Sequence, residues 1–222
     1  MGQALLRLSA EQPDTWQVVG AVSRKVGQRV VDGVPYFAAN ELAGTPAADV
    51  VVDFSLPEAF DGLLAHCVAH GVPLVSGTTG LSSSQTGALE AAAARIPVLW
   101  SSNFSLGVAV LADLVERASR ALPGWDCDIV EQHHTRKLDA PSGTALTLGE
   151  AAGRGGAQAR FASIRAGDIV GEHTVQFATL GERIELVHRA TNRDIFARGA
   201  LHAAAWLARQ APGRYRITDM LG

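Results

Sequence analysis

Residues 50–80 read VVVDFSLPEAFDGLLAHCVAHGVPLVSGTTG, and their pattern settles the architecture. Val50 to Phe54 is a short β-branched run without polar alternation, which is how a strand covered on both faces reads, and Val72-Pro73-Leu74-Val75 is a second. Between them, Leu56 to His70 has the length and periodicity of a helix, and Pro57 suits its first turn. Two buried strands joined through a helix form a parallel crossover. The same alternation continues on either side, with strands over Val18 to Val22 and Ile96 to Trp100 and a helix over Ser82 to Arg95. The class is α/β, with a doubly wound parallel sheet.

Ligands of such sheets lie beyond the carboxyl ends of the strands. Those ends carry Ser23-Arg24-Lys25, Asp53-Phe54-Ser55, Ser76-Gly77-Thr78-Thr79-Gly80 and Ser101-Ser102-Asn103-Phe104. Small residues, amides and hydroxyls at four strand ends suit a nucleotide lying across the crevice, although turns use the same residue types for their own geometry. After Asn103 the pattern changes. A helix over Leu106 to Leu122 leads to a strand over Asp128 to Glu131, a helix from Ser142 to Ala152, a glycine-rich linker at Gly153 to Gly156, and strands of antiparallel style at Ile164 to Arg165, His173 to Thr179 and Arg183 to Arg189. Phe196 to Arg209 returns to helix, and the end, from Tyr215 to Leu221, is expected to pack back onto the first domain. The domains read as 1–103 plus 194–222 and 104–193.

Composition narrows the function. A chain of 222 residues, 47% hydrophobic and 18% charged, is that of a globular protein able to bury a core. Its net charge of -3 argues against nucleic acid or a membrane surface as the partner, since binding phosphate backbones needs a basic excess. Two cysteines in no metal or redox spacing, and no signal-like or membrane-spanning run, point to the cytoplasm.

The chemistry concentrates in Glu131 to Leu146. His133, His134, Arg136 and Lys137 place protonatable or cationic groups on one connection, which suits a dianionic substrate and supplies proton donors near neutral pH. Pro141-Ser142 before an apolar run marks a helix start, where Gly143 and Thr144 offer amides to a carboxylate or phosphate. A metal site built from Glu131, His133 and His134 is disfavoured, because adjacent histidines on a strand face opposite ways, and no metal is expected. Ser142 lacks the elbow of an acyl-transfer nucleophile.

Five segments together resemble the 4-hydroxy-tetrahydrodipicolinate reductase family: Val52-Asp53-Phe54-Ser55, Gly77-Thr78-Thr79-Gly80, Asn103 to Gly107, the run from Glu131 to Ala145, and Arg165 to Thr174. The resemblance spans nearly the whole chain. It implies hydride transfer from NADPH or NADH to 4-hydroxy-tetrahydrodipicolinate, a small dicarboxylate, in diaminopimelate and lysine synthesis. It assigns His133 as proton donor or acceptor and Lys137 as a second donor, and gives His134, Gly143 and Thr144 the substrate carboxylate. Gly77, Thr78, Thr79 and Ser101, Ser102, Asn103 and Phe104 fall to the cofactor. It also implies a homotetramer. Where the family often carries an acid for the adenosine ribose, this chain has Ser23 followed by Arg24 and Lys25, cations that would attract a 2'-phosphate, so NADPH is the preferred cofactor.

Two departures stand out. The family opens with a strand and a glycine-rich turn ending Gly-Arg-Met-Gly, of which only Met1-Gly2 is matched. The Rossmann-like sheet is therefore expected to miss its first strand, through a misassigned start, a truncation or a natural shortened variant, leaving Val18 to Val22 and Val72 to Val75 flanking an empty slot. The alternative to the reductase is then a truncated or non-catalytic nucleotide-binding homologue. The connection between Leu148 and Ala162 is also shorter than usual, beside the sheet through which the family commonly assembles.

Overall fold

A computed structural model describes residues 1–24 and 27–221. The chain divides into two compact units, Met1–Phe104 with Phe196–Met220, and Ser105–Ile195.

The first unit opens with helix α1 (Gly2–Ala10), whose Leu8 packs with Ala197 and Leu201. Strands β1 (Ala21–Ser23), β2 (Val30–Val31) and β3 (Val34–Ala38) form a three-stranded sheet in the order β1-β3-β2. The β2–β3 hairpin turns through Asp32 and Gly33 at φ of 51° and 80°, the paired positive values of the tight turn that Asp-Gly favours. The main sheet runs β11-β6-β5-β4, from β4 (Val51–Asp53), β5 (Leu74–Ser76), β6 (Pro97–Trp100) and β11 (Gly213–Tyr215), with every pairing parallel. The chain end thus joins this sheet through Gly213 to Tyr215.

The crossovers follow from local signals. Helix α2 (Pro57–His70) starts on Pro57, buries Phe60, Leu64 and Cys67 on one stripe, and stops at Gly71, whose φ of 68° is a left-handed cap. Helix α3 (Ser83–Ala93) carries a capping box: the Ser82 hydroxyl accepts from the Gln85 amide at 3.2 Å, and the Gln85 side chain accepts from the Ser82 amide at 3.0 Å. Both helices pack into one core with Leu74, Ile96 and Val98.

Two expectations need correcting. The strand near Val18 to Val22 begins at Ala21 and pairs with β3, not with the main sheet; the β2–β3 hairpin that claims it was not recognised in the sequence. Val72 to Val75 does not flank an open position, because β5 has β4 on one side and β6 on the other; among the described residues, β4 is the end strand.

The second unit is a sheet in the order β10-β9-β7-β8 with two helices. Helix α4 (Leu106–Ala121) precedes β7 (Asp126–His133), helix α5 (Gly143–Arg154) crosses to β8 (Ala159–Arg165), and β9 (Gly171–Thr179) and β10 (Glu182–Ala190) form a hairpin closing at Gly181. The expectation of antiparallel strands holds for β9–β10, and β7 also pairs antiparallel with β9; β8, expected in the antiparallel set, instead pairs parallel with β7, as a helical crossover requires, and starts five residues before Ile164. Alternate residues of β7 and β9, Cys127, Ile129, Val175 and Phe177, face a core closed by Leu111, Val115 and Leu148. Helix α6 (Asp194–Leu207) then returns the chain to the first unit. Among the described residues, no helix is long and apolar enough to cross a membrane.

Candidate active site

Strand β7 ends in Glu131, Gln132 and His133, and two-residue periodicity sets Glu131 and His133 on the same buried face as the core. Glu131 is 0% exposed. Its partners make that burial tenable: Arg165 of β8 grips the carboxylate with two guanidinium nitrogens at 2.9 and 2.6 Å, His133 Nδ1 donates to Oε2, and the Ser142 amide reaches Oε1 at 3.3 Å. Burial works to raise the Glu131 pKa, but hydrogen bonds from Arg165, Ser163 and His133 overcome it and bring the carboxyl to about 2. It is a fixed anion.

His133 feels opposing influences. Burial lowers its pKa, Glu131 works to raise it, and the charges of Lys137 and Arg165 lower it further, so the net direction is down. An ionised carboxylate only accepts, so Nδ1 carries the proton of the neutral ring and Nε2 is left as the working nitrogen. Gly171 lies opposite, and a Cβ there would come within 3.0 Å of Nε2, so glycine keeps the approach to that nitrogen open. Lys137 pairs with Asp139 at 2.8 Å on the loop beyond, and Arg165 holds that loop by donating to the carbonyls of Lys137 (3.3 Å) and Asp139 (2.6 Å). Gly143 and Thr144 are the first residues of α5, at the positive end of its dipole. The helix cap is Ser142, whose hydroxyl accepts from the Ala145 amide at 3.2 Å and lies 3.1 Å from His173 Nε2. His133, Lys137 and the start of α5 are thereby gathered around one buried carboxylate. Among the described residues the buried His134 Nδ1 has no hydrogen-bond partner, and Arg136 is exposed.

His173 extends the row of rings, 5.2 Å from His133 and 6.5 Å from His188 between centroids. Burial, then the neighbouring His133 and His188, push its pKa down to about 4. It stays neutral at physiological pH.

In the first unit, the carboxyl ends of β4, β5 and β6 are laced together. Asp53, buried, accepts from the Ser76 hydroxyl at 2.7 Å, the Thr78 hydroxyl at 2.8 Å and the Ser55 amide at 2.8 Å. Trp100 Nε1 donates to the Thr78 carbonyl at 2.8 Å, and the Ser101 amide to the Ser76 carbonyl at 3.1 Å. The Gly77-Thr78-Thr79 and Ser101-to-Phe104 turns therefore sit side by side. A Cβ on Gly77 would overlap the Phe54 ring, which is why glycine stands there. The Thr78 side chain is committed to Asp53 and the Phe104 ring is buried edge-on to Phe54, 5.5 Å between centroids, so Thr79 and Ser102 are the exposed members of the two turns. The Ser101 hydroxyl is spent within its turn, donating to the Asn103 carbonyl at 2.7 Å. Arg24 is exposed just after β1, and Lys25 lies outside the described residues.

The sequence pattern assigns no individual role to Trp100, Arg165 or His173, places Asp53 only among the polar strand ends, and offers Glu131 only as a metal ligand. The Glu131–x–His133 spacing on a strand was the available signal, since residues two apart share a face. Nothing local marked Arg165 as its partner.

A parallel nucleotide-type sheet in one unit, with a histidine–carboxylate site on a mixed sheet in the next, is the plan of two-domain dinucleotide-dependent oxidoreductases. Within that class, the family model for the N-terminus of dihydrodipicolinate reductase matches residues 1–104 and that for its C-terminus matches residues 107–221. A 4-hydroxy-tetrahydrodipicolinate reductase of Stenotrophomonas maltophilia is 72% identical over 222 residues, covering 100% of this chain and 93% of its own. One of Xanthomonas campestris pv. campestris is 68% identical over the same coverage. A dipicolinate-bound dihydrodipicolinate reductase from a Paenisporosarcina species superposes with a TM-score of 0.83 at 20% identity, over 99% of this chain and 95% of that one. The chain belongs to the dihydrodipicolinate reductase family.

Proposed function

We propose that this protein reduces 4-hydroxy-tetrahydrodipicolinate to tetrahydrodipicolinate, with NADPH preferred over NADH. The observation that carries the reading is the buried Glu131–His133 pair on the strand that feeds both the Lys137 loop and the amide start of α5. The whole-chain likeness to named reductases supports it over a non-catalytic homologue.

The first unit takes the dinucleotide. Thr79 and Ser102 face outward from adjacent turns, which fits a bound pyrophosphate and nicotinamide ribose. Arg24 attracts the 2'-phosphate that distinguishes NADPH. When bound, the cofactor supplies the hydride. The second unit takes the dicarboxylate, with Gly143 and Thr144 receiving one carboxylate at the helix start and His134 contributing a polar contact. Lys137 offsets anionic charge, with Asp139 as its resting partner. The 4-hydroxyl leaves as water, giving a conjugated ring imine; hydride arrival leaves electron density on that ring, and His133 Nε2 delivers the proton that completes the reduction, so a hydride and a proton enter and one water leaves. A ring that rests neutral takes up that proton as the negative substrate arrives beside it, while Glu131 holds the imidazolium in place. The protein acts in the cytoplasm as a homo-oligomer, a tetramer by family resemblance.

The test is NADPH oxidation with freshly generated substrate. We expect turnover by the parent chain and a fall of at least about tenfold in His133→Gln, since a positioned proton donor contributes about 100- to 10,000-fold. A near-normal rate in the variant would remove His133 from the mechanism.

A further inference from the structure

We infer that Arg165 is a positioning residue for this reaction: through the buried Glu131 it sets the orientation of His133, and through two carbonyls it sets the loop that carries Lys137. The inference rests on the proposed roles of His133 and Lys137.

The register makes Arg165 the direct neighbour of His133 across the parallel β7–β8 pair. Its side chain does not pair with solvent-facing acids, as the other arginines of this sheet do. Arg160 bridges to Asp128 and Arg189 to Glu172 at exposed positions, whereas Arg165 runs inward and is 19% exposed. There its two terminal nitrogens hold both oxygens of Glu131, and its remaining donors reach the Lys137 and Asp139 carbonyls. A planar fork can hold a carboxylate and adjoining carbonyls in fixed geometry; a lysine, a single point charge, cannot.

The consequence travels through Glu131. With both oxygens anchored, Oε2 has one place to meet His133 Nδ1, and Oε1 meets the Ser142 amide immediately before α5. One guanidinium therefore registers three parts of the site: the proton donor, the cationic loop and the helix start. The groups facing His133 are Glu131 on its own strand, Arg165 on β8, His173 on β9 and Lys137 on the loop. Of these, only Arg165 touches both the carboxylate partner of His133 and the backbone that bears Lys137. A proton transfer that tolerates little misplacement makes such a support matter to rate more than to binding.

The experiment is a double-mutant cycle read by kcat in the NADPH-oxidation assay, using Arg165→Lys, His133→Gln and the pair. We expect Arg165→Lys to leave the NADPH KM within about twofold and lower kcat by about tenfold or more. In the His133→Gln background the same change should cost less than about threefold, because its route of action is already gone. Equal costs in both backgrounds would mark Arg165 as a general structural support and overturn the inference; so would a near-parental kcat in Arg165→Lys. If Arg165→Lys fails to fold, Glu131→Gln takes its place in the cycle with the same two expectations and the same two refutations. Nitrogen-15 shifts of the His133 ring give a readout independent of turnover. The parent should show one tautomer, protonated at Nδ1, and the Arg165 or Glu131 variant a mixture; an unchanged spectrum would overturn the inference. Should His133→Gln alone turn over at the parental rate, the proposed role of His133 fails and this inference with it. A slow His133→Gln with additive Arg165→Lys sinks only the inference.

Discussion

His173 couples the stability of the second unit to pH. It is 4% exposed, and its pKa is about 4 against 6.5 for the free side chain, because burial and two neighbouring histidines disfavour the charged ring. A folded-state pKa below the unfolded value means that the unfolded chain binds the proton more readily, so the stabilisation is complete above pH 6.5 and is lost as pH falls toward 4. The full swing is about 3 kcal/mol, of which about 2 kcal/mol is lost by pH 5. Replacing His173 with Gln keeps a side chain able to meet Ser142 and removes the titration. Urea unfolding followed by tryptophan fluorescence at pH 8, 6 and 5 measures both proteins, and taking their difference cancels the remaining titrating groups. The stability of the parent relative to His173→Gln should fall by about 2 kcal/mol between pH 8 and pH 5. A difference that stays constant within about 0.5 kcal/mol would show that His173 protonates in the folded state as easily as in water.

The cofactor-side turns make further expectations concrete. Gly77→Ala drives a methyl group into the Phe54 ring, and we expect a loss of about 1 to 3 kcal/mol in urea unfolding, with a raised NADPH KM. Thr78→Val keeps shape but takes a hydroxyl donor from buried Asp53; the expected cost is about 1.5 to 3 kcal/mol, and a stability equal to the parent's would show that Ser76 and Ser55 suffice. Arg24→Glu should raise the KM for NADPH by about tenfold and leave that for NADH within about twofold; equal effects on both would remove Arg24 from 2'-phosphate selection.

The two units were legible from the chain to different depths. Strands and helices with a strong local signal were read closely: Pro57 and Gly71 bracket α2, and Ser142 caps α5 one residue before the helix begins. The β2–β3 hairpin is hard to read from sequence although Asp32-Gly33 is a strong turn pair, because its strands are two and five residues long and lack alternation. The parallel pairing of β7 and β8 is hidden for a related reason: β8 is mostly exposed and carries little hydrophobic period. In the site, His133, Lys137, Gly143 and Thr144 fall within one continuous stretch and could be named together, whereas Arg165 reaches Glu131 from 34 positions further along.

Chemistry carried by neighbours in sequence was written in the chain alone: the crossover pattern, the polar strand ends, the histidine and lysine spacing and the helix start, all set by periodicity and backbone preference. Folding decided what those groups experience. A glutamate two residues before a histidine pair is only a carboxylate until a strand from beyond α5 brings a guanidinium to it, and a histidine on β9 becomes a group near pKa 4 only once β7, β10 and α5 have closed around it. Burial and partner choice are properties of long-range pairing, so no window of sequence contains them.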